Sequence, residues 1–151
     1  MSRLSDIAVR IEGPVRLGGL GRGVAAVLSE LVGILERVAL GGETATIDLR
    51  SLPMSPDDRI ELQSTLGKGE VHATLHADGV STLQETGVSG VWWVEHRDRH
   101  GDLVAELIEV TVIPKILEAS TEDMAMSACE LRTRLATTHK AQAGMDHATL
   151  S

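Results

Sequence analysis

Histidines at regular spacing, a glycine-rich run and a dense set of carboxylates are the groups in this 151-residue chain with the chemistry to bind or react. His72 and His76 stand four residues apart, as do His96 and His100. On a helix that spacing puts both imidazoles on one face, where they could chelate a metal ion. On a strand the two lie about 13 Å apart, at ~3.3 Å per residue. Zinc–nitrogen bonds are about 2.0–2.1 Å, so one strand cannot offer both rings to one ion. Val71, Ala73, Leu75 and Ala77 alternate with Glu70, His72, Thr74 and His76, which is the pattern of a half-buried strand. The expectation is therefore solvated histidines on a polar sheet face, with a cross-strand pair left open, and no metal site.

Gly18, Gly19, Gly21 and Gly23 follow a possible strand at 6–12 and precede a helix. With Asp48 ending a later strand, they imitate a dinucleotide site, in which glycines admit the pyrophosphate and an acid binds ribose. The third glycine of that fingerprint would fall at position 24, which is Val24. A phosphate-binding loop needs Lys-Ser/Thr after its last glycine, and none follows Gly23. The run reads as a turn into a helix that binds no nucleotide. Glu85, Glu95, Glu106 and Glu109 could pair as acid and base, but residues 43–151 hold eighteen acids and make such proximity commonplace. There is no Gly-x-Ser-x-Gly and no Cys-x-x-Cys. The single cysteine, Cys129, excludes an internal disulfide and reads as a small buried thiol on the last helix. No residue stands out as catalytic, no cofactor is expected, and the chain does not read as an enzyme.

The elements that carry these residues follow from periodicity and turn chemistry. Val24, Val27, Leu28, Leu31, Leu35 and Val38 recur at helical spacing, which predicts an amphipathic helix over about 23–40, stopped by Gly41-Gly42. Thr44–Leu49 reads as a strand. Ser55 as N-cap, Pro56 behind it and two acids in the first turn predict a second helix ending before Gly67. Asp78-Gly79 favours a two-residue type I′ turn, so 80–86 should pair antiparallel with 71–77. Val91–Arg97 and Leu103–Ile113 read as a second hairpin, with Pro114 at the exit. Ser120 opens a last helix whose apolar stripe is Met124, Ala128, Leu131 and Leu135. The expected fold is α+β: an antiparallel sheet of hairpins, about four to six strands, packed with N-terminal, middle and C-terminal helices. Residues 1–140 read as one domain and 141–151 as a flexible tail.

Composition narrows the function classes. The net charge is −8, with eighteen acidic and nine basic residues in 43–151, a field that repels nucleic acid. Trp92 and Trp93 are the only aromatics, so stacking platforms for bases are scarce. The N-terminus lacks the apolar core of a signal peptide, and no stretch approaches ~20 apolar residues, so a cytoplasmic protein without a membrane partner is expected. Adjacent strand residues point to opposite faces. Trp92 shares its face with Val94, and Trp93 shares its face with Glu95 and Arg97. Trp92 is thus the expected core residue, the alternative being that both tryptophans are core, one under each helical layer. Trp93, with Glu85, Glu95 and Arg97, is the expected partner contact.

Several strings occur in an order that carries more than their chemistry: Ile47-Asp48-Leu49-Arg50-Ser51-Leu52-Pro53, Leu66-Gly67-Lys68-Gly69-Glu70-Val71, Glu85-Thr86, Gly90-Val91-Trp92-Trp93-Val94, Ile108-Glu109-Val110 and Ile113-Pro114. Over about residues 43–125 they resemble the HupH/HyaF family of [NiFe]-hydrogenase expression/formation proteins. The chain looks like a short, single-domain form of that family, without the extra N-terminal region of longer members. The resemblance implies a non-enzymatic maturation factor or chaperone, acting on the iron–sulfur small subunit before export. It implies as partners that subunit, its export signal and other maturation proteins. The alternative is a small nucleotide- or metal-handling protein using the glycine run or the histidines. A third expectation is a homodimer built on an exposed sheet edge.

Overall fold

The computed structural model describes residues 16–17 and 19–148. The possible strand at 6–12 lies outside them. The chain divides into two compact units, one ending at Pro114 and the other beginning at Lys115.

The first unit opens with a short antiparallel pair, β1 (Arg16–Leu17) and β2 (Leu20–Gly21), and runs directly into helix α1 (Arg22–Ala39). The apolar period predicted for α1 is realised. Val24, Val27, Leu31 and Ile34 are buried, whereas Ser29, Glu30, Glu36 and Arg37 face solvent. Strand β3 (Ala45–Asp48) follows, then a 3₁₀ turn that buries Leu49. Helix α2 (Pro56–Leu66) starts at the predicted N-cap: Ser55 and Asp58 cap each other's backbone N–H groups, and Pro56 occupies the first turn. It stops at Gly67, whose φ of +69° suits glycine.

Four strands then run as a meander: β4 (His72–Ala77), β5 (Gly79–Glu85), β6 (Val91–Arg97) and β7 (Leu103–Val110). With β3 they form a five-stranded antiparallel sheet of order β3-β7-β6-β5-β4. The fold is α+β. Its main core joins α1 and α2 to one sheet face, through Leu62 and Leu66 of α2 and Ile47, Val91, Trp93, Ile108 and Val110 of the sheet. Leu83, Trp92 and Val94 are buried on the opposite face.

The hairpin at Asp78-Gly79 forms, but not with the expected turn. Ala77 pairs with Gly79 and His76 with Val80, one residue away from the register of a type I′ turn. Asp78 does not adopt positive φ, which that turn demands, whereas Gly79 sits at φ +133°. A third strand also crowds this position: a Cβ on Gly79 would lie 2.1 Å from the Arg97 carbonyl oxygen, so only glycine fits. Gly79 is thus required by the neighbouring end of β6 as well as by its own φ. Strand β7 also ends at Val110, earlier than Ile113.

The second unit holds a 3₁₀ turn (Lys115–Leu117) and helix α3 (Thr121–Ala148). Ser120 Oγ accepts from the Asp123 N–H, the predicted N-terminal cap. The helix continues through 141–148, the start of the segment expected as a flexible tail; Ala141, Gln142 and Ala143 are good helix formers. Cys129 is exposed rather than buried, and so are Met124, Leu131 and Leu135 of its stripe, because this unit has no second layer to cover them. No helix of the described residues is long and apolar enough to cross a membrane.

Gly79→Ala is expected to destabilise the first unit by about 1–3 kcal/mol from backbone conformation alone, with the clash adding to it. Gly101→Ala, at φ +88° but in open space, should cost less. Urea unfolding of the two variants checks the order; equal costs would contradict it.

Candidate binding cleft

Cross-strand partners share a sheet face, so the register dictates which side chains meet. Gln84 pairs with His72 on one side and with Trp93 on the other; Thr82 pairs with Thr74 and Glu95. Glu95 in turn faces Glu106, and Trp93 faces Ile108. His72, Thr74, Thr82, Gln84, Trp93, Glu95 and Glu106 therefore lie on the helix-bearing face. Helix α2 covers the Trp93–Ile108 end of that face and leaves the β4–β5 end open. Between them is a cleft of about 240 Å³. Gln63, Leu66 and Lys68 wall it from the end of α2, and His72, Thr82, Gln84, Trp93 and Glu95 from the sheet.

A half-buried ion pair links α2 to the sheet beside the cleft. Arg59 Nη1 approaches Glu106 Oε2 at 2.9 Å, with the Glu106 side chain nearly inaccessible. Burial pushes the Glu106 carboxyl above its ordinary value. Arg59 opposes that rise, Glu95 across the strand pair adds to it, and Arg50 and Arg97 oppose it. Glu95 is itself paired with Arg97 at 3.2 Å, toward the rim.

Gln84 organises the other side of the cleft. Its Nε2 faces three carbonyl oxygens, those of Glu85, Val71 and Gly69, at 2.9, 3.2 and 3.3 Å. Only the amide nitrogen can donate to carbonyls, so Oε1 must be the atom turned to His72 Nδ1, 3.1 Å away. An amide oxygen only accepts. His72 thus donates through Nδ1, and in its neutral form presents the lone pair of Nε2, which lies 3.3 Å from the Thr74 hydroxyl.

The tryptophans depart from expectation in one respect. They do point to opposite faces, and Trp93 does share its face with Glu95 and Arg97. Trp93 is not exposed, however: Trp92 and Trp93 are 5% and 6% accessible. Trp93 packs into the main core beneath α1 and α2, and the opposite face also buries its tryptophan. Trp92 Nε1 donates to the Thr111 carbonyl at 3.2 Å, whereas buried Trp93 Nε1 has no acceptor among the described residues. Of the predicted contacts, Trp93 and Glu95 meet at the cleft, with Arg97 beside Glu95. Glu85 pairs with Trp92 and so belongs to the other face, where its carboxylate accepts from the Val71 N–H. Sequence reasoning missed Gln63, Lys68 and Gln84. The first two arrive through helix packing, and Gln84 needed the 72–84 register.

The glycine run has another use. Gly21 caps α1 without a side chain, and its N–H donates to Glu61 Oε2 of α2 at 3.1 Å. A carboxylate from the neighbouring helix stands where an anionic ligand of that helix start would bind. A Cβ at Gly21 would press on Asp58 and Glu61, so close helix–helix approach accounts for the glycine. Among the described residues no three of His, Cys, Asp and Glu converge as metal ligands.

Residues 23–138 match the family described as the HupH hydrogenase expression protein, C-terminal conserved region. The chain belongs to this family. The match begins earlier and ends later than the strings over 43–125. The hydrogenase expression/formation protein HupH of Rhizobium leguminosarum bv. viciae is 32% identical over 120 residues, covering 80% of this chain and 42% of that protein. The hydrogenase expression/formation protein HoxQ of Azotobacter vinelandii is 32% identical over 122 residues, covering 78% and 43%. This chain therefore spans less than half the length of those relatives. The solved structure of hydrogenase expression protein HupH from Thiobacillus denitrificans ATCC 25259 is 39% identical and superposes with a TM-score of 0.73, covering 76% of this chain and 95% of that one. The α+β fold is thus the fold of the family.

Two expectations follow from the site. Trp92→Phe and Trp93→Phe delete the same atoms, but the first strands the Thr111 carbonyl and the second removes an unpartnered donor. Trp92→Phe should cost about 1–3 kcal/mol more, measured by chemical unfolding; equal losses would refute the assignment. The second concerns pH. Because the folded state holds the Glu106 proton more tightly than the unfolded state, this group favours folding most below about 4.5, its ordinary value. That contribution is lost as pH rises through the elevated value. The stability of the native chain relative to Glu106→Gln should therefore fall as pH is raised from about 4 to 7. Parallel pH profiles for the two proteins would contradict this.

Proposed function

We propose that this chain is a non-enzymatic accessory factor in [NiFe]-hydrogenase maturation, which holds a segment of the immature iron–sulfur small subunit in the cytoplasm before export. The family match across residues 23–138 is the observation that carries this reading. The cleft supports it in kind. It is open on one side and lined by two side-chain amides, two hydroxyls, an imidazole, one cation and one anion, Lys68 and Glu95. Such a lining suits a polypeptide segment, whose carbonyls, amides and mixed side chains need partners of each type. A nucleotide reading of the glycine run is disfavoured by the Glu61 carboxylate already at the start of α1.

The test is affinity capture from hydrogenase-producing cells, with the small-subunit precursor carrying or lacking its export signal. The native chain should retain the precursor. Reversing the cleft charges together, Lys68→Glu with Glu95→Lys, should cut recovery about tenfold, the equivalent of ~1.4 kcal/mol, while the melting temperature stays close to that of the native chain. Undiminished capture by the double variant would exclude the cleft as the contact. Normal hydrogenase levels in a strain lacking the gene would exclude the maturation role.

A further inference from the structure

Strand β4 ends the sheet, and among the described residues no strand pairs with its outer side. Exposed edges are ordinarily blunted by Lys, Pro or brevity. The other edge strand, β3, has four residues, carries Asp48 and runs straight into a 3₁₀ turn. Strand β4 has six residues, His72-Ala73-Thr74-Leu75-His76-Ala77, with no Lys, Arg, acid or proline. Its polar face is symmetric: His-x-Thr-x-His reads the same in both directions about Thr74.

The ladder decides which backbone groups are free. Glu85 N–H donates to the Val71 carbonyl, so residue 71 bonds inward to β5. Alternation then turns 73, 75 and 77 inward and His72, Thr74 and His76 outward. The outward backbone groups thus belong to the same residues as the symmetric side chains. An antiparallel two-fold pairing centred on Thr74 sets Thr74 against Thr74, and His72 against His76 of the second copy, as hydrogen-bonded pairs. Every outward N–H and carbonyl of the strand then finds a partner. Registers centred on 72 or 76 leave part of the strand unpaired. Just beyond β4, Asp78 would face Glu70 of the second copy, and Arg99, ion-paired with Asp78, supplies the countercharge.

We infer that β4 pairs with β4 of a second copy about Thr74, and that each His72–His76 pair across the junction takes a divalent transition-metal ion. The histidines of one strand are too far apart to share an ion. Across the junction their Cβ atoms come within about 4.5–5.5 Å, near enough for both rings to reach one cation. His72 is prepared for this: the three carbonyls around Gln84 fix its amide, the amide holds the Nδ1–H, and Nε2 keeps its lone pair as an acceptor, engaged by the Thr74 hydroxyl at 3.3 Å until an ion displaces it. A second-shell hydrogen bond on the far nitrogen is how ligating histidines are oriented. Water would complete the coordination.

Sedimentation velocity on the full chain, with zinc ions as the probe, tests both parts. The native chain should dimerise, and zinc should tighten the dimer by about tenfold or more, as binding to the paired state alone requires. His76→Gln should remove the zinc effect. Thr74 is exposed, so Thr74→Lys and Thr74→Glu should each fold and remain monomeric, since each meets its own charge at the two-fold axis. A one-to-one mixture of the two should recover the dimer. A native chain that stays monomeric with zinc overturns the inference, as does a dimer that tolerates Thr74→Lys or a zinc response that survives His76→Gln.

Discussion

Everything distinctive about the first unit depends on where α2 lies, with Leu62 and Leu66 in the core and Arg59 set against the buried Glu106. A buried carboxylate opposite a second acid, Glu95, is an unfavourable arrangement without a cation. Arg59 supplies it from the first half of α2. The helix is thereby held over β6 and β7, with Leu62 and Leu66 in the core. Gly67 then ends it, before it can extend across β4 and β5. The exposed half of the sheet face is a consequence of that anchoring and that stop.

The open half is ordered by its own hydrogen bonds. Gln84 joins three carbonyls to His72, and the Thr74 hydroxyl meets the other imidazole nitrogen. Polar side chains that would otherwise sample many rotamers are held by backbone groups. This gives the cleft defined donors and acceptors before any ligand arrives, which lowers the ordering cost of binding. The same lattice sets the chemistry of the β4 edge, so the cleft and the edge share His72.

Much of the architecture was legible in local patterns. The α1 stripe, the Ser55-Pro56 start, the stop at Gly67 and the two hairpins all rest on interactions within a few residues. What escaped depended on a third element. Trp93 shares its face with Glu95 and Arg97, as parity requires, yet its burial depends on two helices packing over it. Asp78-Gly79 marks a turn, but its register and the packing of Gly79 against the Arg97 carbonyl on another strand were not local. The cleft itself was not legible, because Gln63 and Lys68 reach it only through the placement of α2. The 72–84 pairing becomes visible only once the register is known. The continuation of α3 past residue 140 rests on helix propensity alone, and chain ends ordinarily fray.

Amide hydrogen exchange on the full chain, with and without the hydrogenase small-subunit precursor, tests the central claim most directly. Slowed exchange should be confined to residues 63–72 and 82–95, with the exposed face of α1 unchanged. Protection centred on α1, or none at all in a complex that forms, would contradict it.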